Sequence, residues 1–437
     1  MVETRFSLPL PKIYLIIPIV FAFLSAQRIL LENTNVYFCI FFLLASWFSF
    51  FKGQYGLRNS YLILALFVSV DIGLTYSSTP AFIRYVIYLT ALFYLFGAKT
   101  LNLNSVKMFS LFLLVLSVKT ITSLLLGLPF SLAHFFNDVL FVSLLFIVCC
   151  VDQTVLYKYS IDLNFLFFCL FGFLIGECVN SLYFNFVTHG YMSFDTTKAL
   201  IVFPLLYAFN REGVFLKSFL LVITFYILLM YVTRMIALST VLVLLLILFR
   251  RFDYKFLLIT VSITLLGISF FSSILINFES YKVTGSFLSA YNADSIFSAL
   301  QSLDPVRAAE QVALFSRNVF DILLGEGMGF GYFDNKNIFS FVNTGMAAFT
   351  EQELESRVFF NFHDFWSDIG YRLGVLVPLA IILYLIKSIK GSSPKIRAIS
   401  CVLLVLCLCS FFSTPGLLVI AMFFLALRCE KSNSNVF

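Results

Sequence analysis

Two stretches, LLGEGMGFGYF (residues 323–333) and FHDFWSDIGYRLGVL (residues 362–376), stand where a long polar segment of the chain returns to apolar sequence. The first contains four glycines at alternate positions, which can bring backbone N–H groups close to a ligand. The second contains His363, whose imidazole suits proton transfer near neutral pH. Arginine is well suited to holding phosphate, and four arginines stand nearby: Arg307, Arg317, Arg357 and Arg372. The pattern predicts an anion-binding site here.

The composition predicts an integral membrane protein. Of the 437 residues, 61% are hydrophobic and 12% are charged, whereas soluble domains average about 45–50% apolar residues. The first apolar run has no small-residue cleavage motif, so we interpret it as a retained span and not as a signal peptide. The nine cysteines lie in or beside apolar runs, which favours packing roles over disulfides or a metal site. We expect no bound metal.

Apolar runs that approach the length of a bilayer span recur along the chain. The predicted spans are 13–27, 35–51, 60–77, 80–97, 106–127, 130–150, 161–184, 196–210, 214–232, 235–249, 255–275, 364–386, 397–412 and 414–428. Residues 214–249 could form one kinked element, and the last two runs could be a re-entrant pair. The fold class predicted is therefore an all-α polytopic membrane protein with about 12–14 transmembrane helices.

The distribution of positive charge predicts the orientation. With the N-terminus in the cytoplasm, the cytoplasmic segments carry far more of the 29 Lys and Arg residues than the short outer segments do, as the positive-inside rule requires. Both termini are then cytoplasmic, and a long, partly helical loop faces outward. We divide the chain into a transmembrane bundle (1–274), this loop (275–362) and C-terminal transmembrane helices (363–437). A helix in the loop is predicted to start around Asp304–Pro305.

Among the charged residues in or beside the predicted spans, where charge is costly and usually functional, six are candidates for a functional role. All are placed in the outer half of the membrane: Asp71, Arg84, Lys119, Asp138, Glu177 and Arg234. They could line a polar cavity, or they could pair, Asp71 with Arg84 or Lys119 with Glu177, and only hold helices together. Arg234 stands at a break between two apolar runs, where its head group can face a phosphate while its stem stays in lipid.

These residues resemble the bacterial O-antigen polymerase and O-antigen ligase superfamily, the Wzy-like and ligase-like membrane glycosyltransferases. The layout is similar: many spans and one long, late outward loop. TRMIALS (233–239) resembles the family's Ser-Arg-aliphatic signature, with Thr233 in place of Ser. Arg307 stands eighteen residues before Gly325, like the family's arginine helix before a Gly-x-Gly turn. HDFWSDIGYRLGVL resembles the family's histidine helix, with Asp364 in place of Asn.

The resemblance implies a GT-C-like fold and an undecaprenyl-diphosphate-linked oligosaccharide as substrate, without nucleotide sugar, metal or cofactor. His363 would be the base for the acceptor hydroxyl, and Asp364 or Asp368 would orient it. The diphosphate ligands expected are Arg234 and Arg307, with Arg84 and Arg317 in reserve, together with the backbone at Gly327 and Gly329.

Simpler interpretations stand beside these. The glycine cluster could be a loop closing against a helix, and His363 could be a solvated residue at a helix start. His134 and His189 are the other histidines, and His189 is a competitor for the base. Aromatic residues near His363 could stack on sugars or lie at the membrane interface. Acidic residues in TEQELES (350–356) favour a solvated face over a metal site.

The function predicted is a polymerase that joins lipid-linked repeat units on the periplasmic side of a bacterial inner membrane. The alternatives are a ligase that moves the finished chain to a lipid A core, a flippase for the lipid-linked unit, and a structural membrane subunit. The long loop with its glycines and histidine disfavours the flippase, and the charges in the spans disfavour the structural subunit. The partners expected are membrane lipids and a chain-length regulator, but no nucleic acid.

Overall fold

The fold is known from a computed structural model. It describes residues 13–25, 35–69, 80–97, 100–183, 196–210, 214–230, 234–249, 305–340, 349–360, 362–363, 365–391, 393–409 and 414–434. The predicted span 255–275 and the beginning of the predicted loop lie outside these residues, as do Asp71, His189 and Asp364.

The described residues are mostly helical. The helices before the loop are α1 (Ile13–Ser25), α2 (Asn35–Phe51), α3 (Tyr55–Ser69), α4 (Ala81–Phe96), α5 (Leu103–Leu125), α6 (Leu132–Cys150), a 3-10 turn (Gln153–Tyr159), α7 (Leu163–Tyr183), a 3-10 turn (Thr196–Val202), α8 (Phe203–Phe209), α9 (Val214–Met230) and α10 (Arg234–Phe249). The later elements are α11 (Pro305–Phe315), α12 (Val319–Leu324), β1 (Tyr332–Phe333), α13 (Glu351–Ser356), β2 (Val358–Phe359), α14 (Phe365–Leu373), α15 (Leu376–Gly391), α16 (Pro394–Cys409) and α17 (Thr414–Ser434).

Three helical segments of the described chain are long and apolar enough to cross a membrane. They are Leu103–Leu125, Leu132–Cys150 and Gln153–Val179. Shorter apolar helices run over Val36–Phe51, Ala81–Phe96 and Ala199–Phe209. The first two long helices coincide closely with predicted spans, because an unbroken apolar run of this length is stable as a helix wherever it is buried or in lipid.

Two sequence predictions need correction. The run 364–386 is two helices, α14 and α15, which meet at Gly374. The chain turns there with a φ of +86°, and the carbonyl oxygen of Leu323 lies where a Cβ would be. The fold is also not entirely helical, since β1 and β2 pair antiparallel, Tyr332 with Phe359. Short strands of two residues have no periodicity to reveal them.

Among the described residues the core has two parts. The larger one unites apolar residues of the long helices, where α2 packs on α3, α1 on α7, and α16 on both α15 and α17. The smaller one lies under the loop and is rich in aromatic rings: its members include Ala313, Leu314, Tyr332, Phe339, Phe349, Phe359, Phe362 and Tyr371. This second cluster ties α11 to α14, because Leu314 and Tyr371 both belong to it. It is the platform on which the polar residues of the loop are held.

The loop is anchored to the turn between α5 and α6. The Ser131 amide donates to the Gly329 carbonyl at 2.9 Å, and the Gly331 amide donates to the Pro129 carbonyl at 3.0 Å. Phe130 and Phe330 form a bridge between these hydrogen bonds, with their rings 5.4 Å apart. The position of the loop relative to the α5–α6 hairpin is therefore fixed by backbone contacts.

Candidate functional site

The site is built where α11 crosses α14. The helix predicted to start around Asp304–Pro305 is present as α11, described from Pro305 to Phe315, and a proline in the first turn of a helix costs no hydrogen bond. Three polar side chains, at spacings of three and four residues, lie on one face of α11. They are Arg307, Glu310 and Gln311, and each contacts the segment 363–367.

The central contact joins Glu310 to His363. The Oε1 atom of Glu310 lies 2.5 Å from Nδ1 of the imidazole. The same carboxylate accepts the backbone N–H of His363, at 3.0 Å for Oε1 and 3.1 Å for Oε2. The Glu310 side chain is fully buried and that of His363 is 16% exposed. A buried carboxylate therefore fixes both the backbone and the ring of a histidine that reaches the surface.

Arg307 lies beside this pair. Its Nη2 atom donates to the backbone carbonyl of His363 at 3.2 Å, and Arg307 stands one turn before Glu310 on α11. The Phe349 ring packs edge-on against the imidazole, with centroids 4.9 Å apart. The side chain of Gln311 donates to the hydroxyl of Ser367 and closes the far side of the crossing. A guanidinium, a carboxylate and an imidazole thus meet within one turn of α11.

This arrangement favours proton abstraction by His363. When Glu310 is ionised it only accepts hydrogen bonds, and Nδ1 of His363 then carries the proton that faces it. In the neutral ring Nε2 then holds the lone pair that can accept a proton. A carboxylate behind the ring also stabilises the imidazolium that forms when the proton arrives, the role of the orienting acid in catalytic triads.

Sequence reasoning selected His363 but missed Glu310. It offered Asp364 and Asp368 as orienting residues, whereas the ring is held by Glu310, fifty-three residues away in sequence. The available signal was the polar face of α11, on which Arg307, Glu310 and Gln311 stand in an otherwise apolar helix. Asp364 lies outside the described residues.

Asp368 belongs to a buried ion cluster beneath the site. Arg372 is 2% exposed, and its guanidinium lies 2.5 Å from Asp138 on α6 and 3.1 Å from Asp368. Arg372 also donates to the carbonyl of Phe360, and Asp368 accepts the amide of Phe362 at 3.2 Å. The cluster therefore holds both residues that precede His363 in the described chain, and it ties α14 to α6.

A second ion cluster lies where the loop meets α5. Lys119 is 2.5 Å from Asp321 and 3.7 Å from Glu326, in place of the Glu177 partner considered above. Arg317 is 3.3 Å from Glu326 and donates to the carbonyl of Tyr371 at 3.2 Å. Burial raises the pKa of the Glu326 carboxyl, and Arg317 and Lys119 oppose this effect. Arg317, which the sequence analysis named as a reserve diphosphate ligand, therefore joins Glu326 of the loop to the backbone of α14.

The glycine amides at the two predicted positions already have acceptors. The Gly327 amide donates to the Arg372 carbonyl at 3.0 Å, and the Gly329 amide donates to Asp138 at 2.6 Å. A Cβ at Gly327 would stand 2.7 Å from the Cα of Thr120, and one at Gly329 would stand 2.7 Å from the ring of Phe130. These glycines let the loop backbone pack closely against the α5–α6 hairpin, as the simpler interpretation proposed.

The other predicted arginines, and His134, are located by the helices that carry them. Arg84 is in the first turn of α4, which packs chiefly against α2, α3 and α17. Arg234 is the first residue of α10, which packs on α9 and α16. His134, on the first turn of α6, accepts or donates a 2.8 Å hydrogen bond with Ser131 and stacks on Phe360, with ring centroids 4.8 Å apart. Of the predicted arginines, Arg307 has a described contact with His363 itself.

An apolar groove is lined in part by the first residue of α14. Its volume is about 580 Å³, and it runs between α6, α15 and α17. Phe365, two residues after His363, lines one end, and Arg428 lines the other. Arg428 donates to the Val151 carbonyl at 2.9 Å beyond the end of α6. Between them the walls are almost entirely aliphatic and aromatic, so the groove suits a hydrocarbon chain.

Comparison of the chain with models of known protein families, with curated protein sequences and with solved structures found no match.

Proposed function

We propose that this chain is an integral membrane glycosyltransferase that joins lipid-linked oligosaccharide units. The donor is an undecaprenyl-diphosphate-linked sugar, and the acceptor is a hydroxyl of the next lipid-linked unit. The observation that carries the proposal is the buried Glu310 carboxylate held against Nδ1 of His363. The resemblance of the sequence around Arg234, Arg307 and His363 to the polymerase and ligase superfamily supports it.

In the proposed step His363 is the general base. The acceptor oxygen attacks the anomeric carbon of the donor sugar, and the bond between that carbon and the diphosphate oxygen breaks. The hydroxyl proton passes to Nε2 of His363, and Glu310 stabilises the resulting imidazolium. The electron pair of the broken bond leaves with undecaprenyl diphosphate. Direct displacement inverts the anomeric centre.

Diphosphate is a good leaving group, so the reaction needs positive charge more than it needs an acid. Arg307 is the cation next to the base, and its guanidinium is anchored to the His363 backbone. A guanidinium can bind two phosphate oxygens at once. We therefore assign Arg307 to the diphosphate, and we propose Arg234 as a second ligand on the resemblance of its sequence motif alone. The glycine amides receive no such role here, because they are engaged in packing.

The apolar groove supports a lipid-linked donor. One end is lined by Phe365, two residues after His363, and the other lies at the α6 end capped by Arg428. The proposed polyprenyl chain lies in the groove, with its diphosphate at the end lined by Phe365. In this proposal the helix bundle spans the bacterial inner membrane, both termini face the cytoplasm and the site faces the periplasm.

The test uses purified chain in vesicles with a synthetic undecaprenyl-diphosphate repeat unit and no other enzyme. Wild type is expected to form a ladder of longer glycans. His363→Ala and Glu310→Gln are expected to lose it, while His134→Ala and Glu355→Gln provide matched controls for loss of a histidine and a carboxylate. Folding of each variant is checked by size-exclusion chromatography and circular dichroism.

Other outcomes would overturn the proposal in identifiable ways. A ladder that survives His363→Ala moves the base to another residue. Transfer only when lipid A core is added identifies a ligase, which the pair of Glu310 and His363 (the dyad) could also serve. Movement of the intact lipid-linked unit across the bilayer without glycosyl transfer identifies a flippase and removes the catalytic role of the dyad.

A further inference from the structure

The short helix α12 presents a row of exposed apolar side chains. Val319 is 68% exposed and Phe320 is 76% exposed. Leu323 and Leu324, one turn later, are also exposed. The polar residue Asp321 points instead toward Lys119. Water-facing helices of a loop seldom expose four large apolar residues in six, and such a face usually meets a partner or a membrane.

The contacts of the loop fix the level of α12 along α5. Asp321 of α12 pairs with Lys119. Just after α12, the Met328 amide donates to the Thr120 hydroxyl at 3.1 Å, and the backbone of Gly327 lies directly against Thr120. The loop contacts Thr120 through the backbone of Gly327 and Met328, so this contact does not depend on the reach of the Lys119 side chain. Both place α12 beside residues 119–120 of α5.

Residues 119–120 lie within the apolar stretch of α5, with apolar residues before and after them along the helix. This helix is a candidate membrane span with few buried residues. On the inner side of Lys119 the exposed apolar residues include Val118, and on the outer side they continue through Ile121, Leu124 and Leu125. Since a helix rises 1.5 Å per residue, its apolar surface extends about 9 Å beyond Lys119. A lipid layer that covers this surface must also reach α12.

We infer that α12 lies within the outer lipid leaflet beside α5, with Val319, Phe320, Leu323 and Leu324 in contact with acyl chains. The occupant of this face is phospholipid. Lys119 and Asp321 neutralise each other at the boundary, which lowers the cost of holding both charges at this depth. The inference rests on the membrane insertion of α5 in the proposed function.

This position of α12 connects the donor site to the membrane. α12 leads through Gly325 into Glu326 and the glycine-rich turn. It packs against α14, and the amide of Val375, just after α14, donates to the Ile322 carbonyl at 2.9 Å. The helix that follows His363 is therefore joined to a lipid-embedded element.

The test uses single tryptophans in a background in which both native tryptophans, Trp47 and Trp366, are replaced by Phe. The reporters are Phe320→Trp on α12, Val118→Trp on α5 and Phe333→Trp on β1, where Phe333 is 52% exposed beyond the α5–α6 turn. Each protein is reconstituted in phosphatidylethanolamine and phosphatidylglycerol vesicles containing lipids with brominated acyl chains. Quenching by bromolipid is compared with quenching by aqueous acrylamide.

Phe320→Trp is expected to lose most of its fluorescence to bromolipid, as Val118→Trp does, and to emit at shorter wavelength than Phe333→Trp. Acrylamide is expected to quench Phe333→Trp most. If Phe320→Trp follows Phe333→Trp while Val118→Trp is quenched by bromolipid, α12 faces water and the inference is wrong. Quenching of Phe320→Trp by neither agent means that protein covers α12, which also overturns it. If Val118→Trp resists bromolipid, the membrane insertion within the proposed function fails as well.

Discussion

Nδ1 of His363 lies 2.5 Å from Oε1 of Glu310, and the same carboxylate accepts the His363 backbone amide. The glutamate thus fixes two independent features of one residue, its main-chain position and its ring. A single hydrogen bond to the ring would leave the backbone free to shift. Holding both keeps Nε2 in a defined direction, which proton transfer to a bound hydroxyl requires.

Replacing Glu310 by Gln should reduce the rate of glycan transfer by about 10²–10⁴-fold, the range that general base catalysis contributes. Glutamine keeps the shape of the side chain but cannot stabilise an imidazolium. The initial rate of ladder formation at saturating donor measures the effect. Glu355→Gln, an exposed carboxamide substitution on α13, should retain the wild-type rate. Equal rates for Glu310→Gln and wild type would show that the glutamate only joins the two helices.

Replacing Arg307 should affect donor binding more than Glu310→Gln does. Arg307→Ala removes the guanidinium next to His363, and Arg307→Lys keeps the charge but loses the two-pronged contact with phosphate. We expect KM for the donor to rise in both variants and kcat to fall most in Arg307→Ala. Arg357→Lys, on the exposed surface of the loop, is the matched control. An unchanged KM and kcat for Arg307→Ala would assign the diphosphate to other cations.

The helices were predictable from sequence and the dyad was not, for a physical reason. The lengths of α5 and α6 follow from unbroken apolar runs, because the signal lies within each segment. The pairing of Glu310 with His363 joins residues fifty-three apart, and nothing in either segment specifies which carboxylate meets the ring. The same holds for Asp138, which a span-by-span analysis marks as costly but cannot pair with Arg372 across the chain.

The break at Gly374 shows a second limit. Apolar periodicity continues through residues 364–386, so the sequence predicts one helix. The helix is broken by the φ of +86° at Gly374, and only glycine fits there because the carbonyl of Leu323 occupies the space that a side chain would need. That contact comes from a distant segment of the chain, where α12 ends. Tertiary crowding of this kind overrides local helix propensity.

Arg372 should be essential for folding. Its guanidinium is buried between Asp138 and Asp368, and removing one partner of a buried ion pair costs about 3–5 kcal/mol because the remaining charge is left uncompensated. Arg372→Leu should therefore lower Tm strongly in a detergent melting experiment. Adding Asp138→Asn to Arg372→Leu should cost less than the sum of the two single losses. Strict additivity would mean that the two groups do not interact in solution.

Glu326 should make stability depend on pH in a defined direction. Burial raises the pKa of this carboxyl above its ordinary value of 4.5. A carboxyl with a raised pKa in the folded state contributes stability below its unfolded pKa, and this contribution is lost as pH rises through the folded pKa. The Tm of Glu326→Gln should thus match that of wild type in acid. It should rise above the wild-type Tm as pH increases through the folded pKa of Glu326. The difference in Tm between the two proteins, measured across pH, tests this. A difference that changes in the opposite sense would show that the ion pairs with Lys119 and Arg317 dominate.

Gly327 should tolerate no side chain, for two separable reasons. Its φ of +98° is unfavourable for any other residue, at about 1–2 kcal/mol, and a Cβ would stand 2.7 Å from the Cα of Thr120. Gly127→Ala isolates the first cost, because Gly127 has a φ of +69° and a Cβ there would meet nothing within 4 Å. Gly327→Ala should therefore lower Tm clearly more than Gly127→Ala and should loosen α12 from α5. Equal losses in the two variants would mean that the loop is not packed against Thr120.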